Sequence, residues 1–287
     1  RQKLVDTVAE IIPVRELDRG NGVIALMTPQ GGLLLDGPAV ELSFTPANAM
    51  TADLSLSGGT LSGISIDGVP VDLAREPHRL SGGRLAGNLD VRDSLGPEAQ
   101  ARLDAVARDL IERFADPAVD PTLGPTDPGL LTDAGAAFDS LTEAGLAGRS
   151  EVNAAVDPAS GGELWRLRDG LLAAVEGPVG NASGLTALSE ALSASRVPAS
   201  GGYSGAARSA QALSADMLSS IGGTLQSLET DLSFVEAQRA SLKQIELENG
   251  VDTDQELQKL LLIEQAYAAN ARVIQTVDSL FETLMRI

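Results

Sequence analysis

The chain has 287 residues, enough by ordinary domain sizes for about two units with cores of their own. Its hydrophobic content is 43% but aromatics supply only 3%, so the cores must be built from Leu, Ala, Val and Ile, a composition suited to closely packed helices. The 40 Asp and Glu against 21 Lys and Arg give a net charge of −19, which argues against nucleic-acid and anionic-membrane partners, and the absence of cysteine removes disulfides, thiolate nucleophiles and cysteine-ligated metals.

Leu4, Val5, Val8, Ile11 and Ile12 follow helical spacing from the outset, so the numbering is expected to begin inside an element of a longer protein. No basic segment with an apolar run opens the chain, and no stretch approaches the roughly 18 to 20 apolar residues that span a bilayer. Pro13 and then Asp18 to Gly22 stop the first helix. Val23 to Met27, Leu33 to Leu35 and Val40 to Phe44 read as strands, the first two joined through Pro29 to Gly32. Leu54, Leu56, Leu61, Ile64 and Ile66 continue the short apolar pattern past Gly58 and Gly59, and Asp67-Gly68 turns the chain into Val69 and Val71. The pattern predicts a small antiparallel β unit at about 20–80.

From Gly83 the period becomes helical: Leu85, Leu89 and Arg92 share one face, and Leu103, Val106, Leu110 and Phe114 share another. Gly96-Pro97 should kink or split this helix. Asp116-Pro117, Asp120-Pro121, Gly124-Pro125 and Asp127-Pro128 can be neither helix nor central strand and mark a boundary. Beyond it the pattern is mixed, with a strand near Val152 to Val156 and short helices at Trp165 to Val175 and Leu185 to Leu192. Trp165 with Leu164, Leu167, Leu171 and Leu172 fits a small core, with Arg166 and Arg168 pointing outward. A long helix runs from about Ala206 to Glu248, its Ile221, Leu225, Leu228, Leu232 and Val235 alternating by four and three. Gly222-Gly223 inside it reads as either a flexible point or a close-packing notch. Asn249-Gly250 forms a left-handed cap, and Thr253 with Glu256 forms a capping box for a last helix from near Asp254 to the end.

That last helix carries the strongest pattern. Leu260, Ile263, Tyr267, Asn270, Ile274, Val277, Phe281 and Leu284 repeat by three and four without a break, a heptad seam suited to assembly. A second seam, Leu262, Ala266, Ala269, Val273, Thr276 and Leu280, lies beside it and suggests neighbours on both sides. Its charged residues are spread singly, and Ala266, Ala268, Ala269 and Ala271 allow close helix approach. Asn270 on an apolar seam fits a register-fixing role. Periodicity alone is equally consistent with the last helix of a soluble bundle.

Material for catalysis is sparse. His78 is the single histidine and sits between Pro77 and Arg79 in a loop, so neither a Ser-His-Asp triad nor a multi-histidine metal site is expected. Asp252, Asp254 and Glu256 alternate as in a calcium loop but lack its full ligand set, and helix capping accounts for them better. The glycine pairs at 58, 82, 161, 201 and 222 are followed by no Lys-Ser or Lys-Thr, so no phosphate-binding loop is present. No catalytic, cofactor or metal residue is assigned.

Residues Gln265 to Thr276, reading QAYAANARVIQT, resemble the closing signature of flagellar rod, hook and hook-associated proteins. Leu280 to Leu284 is similar to the ending of the first hook-associated protein family, where hook and rod proteins carry a Met-Leu-type ending. Gly83 to Asp93 resembles that family's Gly-rich entry into its central helix. It departs at Ala86, Asn88 and Val91, where Gly, Leu and Phe are more usual, and Val251 to Asp254 replaces an Asn-Leu-Asp pattern. The resemblance covers 1–118 and 203–287, and 119–202 corresponds to the family's variable outer domain.

The resemblance implies a non-enzymatic adapter, ringed between hook and filament, whose N-terminal helices are missing from this sequence. Its terminal coiled coil would line the axial channel. Implied partners are copies of itself in a ring, the hook protein, the next hook-associated protein and a flagellar export chaperone on the C-terminal helix, with secretion through the flagellar type III pathway to the extracellular flagellum. No nucleic acid, membrane or cofactor is implied. The expected fold is α+β, mainly α: long helices in an elongated bundle or coiled coil, with a small antiparallel β unit and a small mixed inserted domain. The expected domains are 1–118 together with 203–248, the insert 119–202, and the assembly helix 249–287. Alternatives are a hook or rod axial protein, or a non-flagellar soluble helical binding module.

Overall fold

The computed structural model of the chain describes residues 1–249 and 253–284, and the side chains of these except at 248, 249, 253–256, 274 and 276–284. Its class is α+β and mainly α, with long helices and small antiparallel sheets. Two compact units emerge, Arg1–Ile221 and Gly222–Ile287.

The first unit opens with helix α1 (Gln2–Ile11). Strands β1 (Arg15–Gly20), β2 (Val23–Met27) and β3 (Leu33–Asp36) follow as an antiparallel sheet in chain order. Strand β1 falls where the sequence predicts only a helix stop. Its residues are mostly polar and all exposed, so no apolar alternation marks it. The turn makes it a strand: Asn21 and Gly22 both adopt positive φ (53° and 77°), the geometry of a two-residue hairpin. The expected strand at Val40 to Phe44 is shorter, β4 (Leu42–Phe44), and joins a second sheet with β5 (Ile64–Ile66) and β6 (Val69–Pro70). The apolar run at 54–61 forms turns instead. Thr60 Oγ1 accepts the Ser55 N–H at 2.8 Å and Ser55 Oγ accepts the Gly58 N–H at 3.0 Å, which withdraws those donors from a ladder.

Between these sheets and the helices lies one apolar cluster of Val5, Ile12, Leu26, Leu34, Ile64, Ile66, Leu80 and Leu89. Leu89 comes from helix α2 (Gly83–Asp90), whose start meets the end of α1 so closely that a Cβ on Gly83 would stand 2.6 Å from the Ile11 carbonyl oxygen. Only glycine fits there. Helix α2 runs through a π segment (Val91–Leu95) into α3 (Gly96–Phe114). Gly96-Pro97 therefore does not split the helix but follows one wide turn, in which the Gly96 N–H reaches Val91 O.

Helix α3 corrects the predicted face. Phe114 is buried, but Leu103 is exposed and Val106 and Leu110 are half-buried, whereas Asp104, Asp109 and Arg113 are buried. The insert packs its backbone against this side of α3, and backbone polar groups need charged or polar partners. Asp104 accepts the N–H groups of Gly145 and Ala147 at 2.8 and 2.9 Å.

Residues 119–202, expected as an insert, fall within the first unit and contain β7 (Leu131–Asp133), α4 (Leu146–Arg149), β8 (Ser150–Val152), α5 (Arg166–Asp169) and α6 (Ser183–Ser193), with β7 and β8 paired antiparallel. The expected strand thus ends at Val152. Val156 instead enters a core with Leu123 and Leu171, joined by Leu130 and Leu167. The expected helix at 165–175 is a single turn, stopped at Gly170, whose φ of 109° suits only glycine. Trp165 is half-buried outside that core, and Leu164 and Leu172 are exposed. Arg166 and Arg168 hold the local chain rather than pointing outward: Arg166 lies 4.9 Å from the Trp165 ring centre and donates to Leu171 O at 2.6 Å, and Arg168 donates to Asp169 and to Gly177 O.

Helix α7 (Ala210–Asn249) begins later than expected, because 206–209 approach it extended and Arg208 pairs with Arg196 as an antiparallel bridge. Helix α8 (Thr253–Leu284) begins one residue before its predicted start. Gly250 and the capping side chains of Thr253 and Glu256 lie outside the described residues, as do the side chains of Asp252 and Asp254.

Candidate functional site

The candidate site is the apolar surface of α8, within the second unit. Leu260, Ile263, Tyr267 and Asn270 of the first seam and Leu262, Ala266, Ala269 and Val273 of the second are exposed. At 3.6 residues per turn the two groups form stripes about 100° apart on the cylinder. Ile274, Val277, Phe281 and Leu284, with Thr276 and Leu280, belong to α8, but their side chains lie outside the described residues. Leu257 and Leu261 extend the apolar surface around the helix and are also exposed. Apolar stripes of this width, beside a face that carries Gln258, Glu264, Gln265, Arg272 and Gln275, favour burial against a partner. Burying one Leu or Ile side chain contributes about 1.5–3 kcal/mol, so a handful of them supplies on the order of 10 kcal/mol toward association before its entropic costs.

Helix α7 repeats the theme at lower density: Ile221, Leu225, Leu228, Leu232 and Val235 are all exposed along their four-three register. Within it, a Cβ added to Gly222 or Gly223 would meet no heavy atom within 4 Å, so neither forms a close-packing notch against the described residues.

The other candidates have structural settings. His78 is buried, with Nδ1 accepting the Leu80 N–H at 3.1 Å and Nε2 3.4 Å from Glu76. Ser81 is nearby, but its hydroxyl donates to Glu76 at 3.0 Å and accepts the His78 N–H at 2.7 Å, so the Ser-His hydrogen bond of a nucleophilic triad is not made. Sequence spacing carried no sign that these three meet. A cavity of about 360 Å³ in the insert lies between Asp120, Leu130, Leu167, Leu171 and Leu188. Asp120 within it already accepts from Thr122 N and Oγ1 and from Leu171 N. Among the described residues no group of three His, Asp or Glu is placed to hold a metal ion, and no helix is long and apolar enough to cross a membrane.

Sequence reasoning missed the buried charges of α3. Arg113 and Asp109 sit four apart on a helix, a spacing that reads equally well as an exposed ion pair.

Comparison with known proteins bears on this geometry. The flagellar hook-associated protein FlgK helical domain matches residues 1–116, and the flagellar basal body rod FlgEFG protein C-terminal domain matches residues 248–287, the stretch that contains α8. Together they cover more than half of the chain. No curated protein and no solved structure matches it. A terminal helix with exposed apolar seams and these two matches define a structural component of the bacterial flagellar axis. The helical-domain match over residues 1–116 and the C-terminal match over 248–287 support kinship with the flagellar hook-associated protein FlgK family.

Proposed function

We propose that the chain acts as the adapter at the hook–filament junction and assembles with copies of itself through the seams of α8. The observation that carries this reading is the hook-associated helical-domain match over residues 1–116, because the C-terminal match over 248–287 bears the name of rod proteins and supports axial assembly only in general. The exposed seams supply the physical driving force, and Asn270, exposed among apolar neighbours, supplies a register device. Hook protein on one side and the next hook-associated protein on the other are the partners this role requires. Export through the flagellar type III route, with a chaperone covering α8 beforehand, follows from how poorly such a helix would tolerate water. The role needs no catalysis.

The test is a strain lacking this protein. Under this reading hooks complete but filaments do not attach, and filament subunits appear in the medium. Filaments attached to normal hooks would overturn it, and hooks that fail to form would instead favour a rod or hook role.

A further inference from the structure

Arg113 stands where three separated parts of the chain meet. Its side chain is 1% exposed, and its guanidinium is spent entirely inside the protein. Nε donates to Asp109 at 2.6 Å, Nη1 to the Ala191 and Ala194 carbonyls at 2.6 and 2.5 Å, and Nη2 to the Arg208 carbonyl at 2.9 Å. Asp109 neutralises the charge from the same helix. Ala191 and Ala194 are at the C-terminal end of α6, where carbonyls lack helical donors and a cation also meets the negative end of the helix dipole. Arg208 O belongs to the bridge in which Arg196 N and Arg208 N donate to each other's carbonyls at 2.9 and 2.8 Å. Two residues later α7 begins, with Ser209 Oγ accepting the Ala212 N–H and with Ala210 and Leu213 buried.

From this geometry we infer that Arg113 is a latch making the order of the first turn of α7 depend on the docking of α6 of the insert. The insert leaves α3 just after Arg113 and returns at Arg208, so the latch closes the neck of the whole 115–208 excursion. A change that loosens α6 removes two of the guanidinium's acceptors, and the strain falls on the third, at the root of α7. Besides the latch, the Arg196–Arg208 backbone bridge joins the root to the chain just past α6, whereas the Arg208 side chain binds only within its own segment, to Asp216, Ser204 and the Ala206 carbonyl. Arg113 is a positioning residue in this scheme. The inference concerns how the insert communicates with a long helix, and it stands whether or not the junction role holds.

The test is a double-mutant cycle read by amide hydrogen exchange on the whole chain. Gly184→Ala perturbs α6 at its far end, because a Cβ there would run into the Arg168 carbonyl oxygen, away from Arg113. Arg113→Met removes the latch while keeping most of the side chain's apolar length. If the latch operates, Gly184→Ala speeds exchange in 209–214 as well as in α6, by roughly tenfold for a coupling of about 1.4 kcal/mol. In the Arg113→Met background, 209–214 already exchange fast and Gly184→Ala adds nothing there. Arg113→Lys, which keeps the charge but loses the planar fork, behaves as Arg113→Met does at 209–214. Faster exchange confined to α6 in Gly184→Ala overturns the inference. Equal acceleration everywhere in Arg113→Met, including β7 and β8, also overturns it, since Arg113 would then be only a contributor to global stability.

Discussion

At the residue scale the first unit depends on buried charges that each satisfy several backbone groups. Asp104 is the clearest: its carboxylate accepts from Gly145 N, Ala147 N and the Gln100 side chain, and it is 2% exposed. Replacing it with Ala leaves two half-buried N–H groups without this acceptor, so Asp104→Ala should cost about 1–3 kcal/mol in urea unfolding. Asp104→Asn, which keeps one acceptor oxygen, should cost less. Asp169 gives a pH prediction. The Arg168 guanidinium first, and the Gly177 N–H second, hold its carboxyl below the ordinary value of 3.8. A carboxyl depressed on folding stabilises the protein above the unfolded value and loses that contribution as pH falls through the lower folded value. Thermal unfolding at about pH 6 and about pH 2.5 should therefore differ less in Asp169→Asn than in the unaltered chain, because part of the acid sensitivity is removed with the group.

At the element scale, glycine separates two kinds of backbone demand. Among the described residues nothing approaches a Cβ at Gly222 or Gly223 in α7, so the double Ala variant should gain about 1 kcal/mol of helix stability per site, seen as several-fold slower amide exchange across those turns. Gly129 is the opposite case: a Cβ there would stand 2.5 Å from Phe114 O and 2.6 Å from Ala115 N. Gly129→Ala should lower the unfolding midpoint by an amount corresponding to about 1–3 kcal/mol. The same contrast explains what could be read from the sequence. Helices α7 and α8 were legible because a 3.5-residue period over many turns is local information. Strand β1 was not, since a polar edge strand carries no alternation and its only sign, Asn21-Gly22, also ends helices. Turns at 54–61 were misread because Ser55 and Thr60 compete for backbone groups in a way apolar spacing does not reveal. The buried face of α3 depends on a partner about forty residues away in Gly145, which no window of sequence contains.

At the scale of the whole molecule, the first unit is organised around its own cores, and the second presents helices whose apolar side chains are exposed. That division predicts where association resides. Ile263→Asp places a charge on the first seam, where burial of an unpaired carboxylate would cost several kcal/mol, so sedimentation at increasing concentration should show the unaltered chain associating and the variant staying monomeric. The first unit should be indifferent: its unfolding midpoint stays within the range of an ordinary surface substitution, about 0.5 kcal/mol. Asn270→Leu separates affinity from specificity. If Asn270 fixes register, adding an apolar residue to the seam strengthens association but broadens the distribution of oligomer sizes, as coiled coils do when a buried polar residue is removed. If its only effect were on affinity, the sizes would stay narrow and simply shift toward the assembled form. An axial flagellar component needs the narrow distribution more than it needs tight binding, because one copy out of register would interrupt every contact above it. The loss of a single size in Asn270→Leu, at equal or higher affinity, is therefore the outcome that ties this seam to ordered assembly, and light scattering on the two chains side by side measures it.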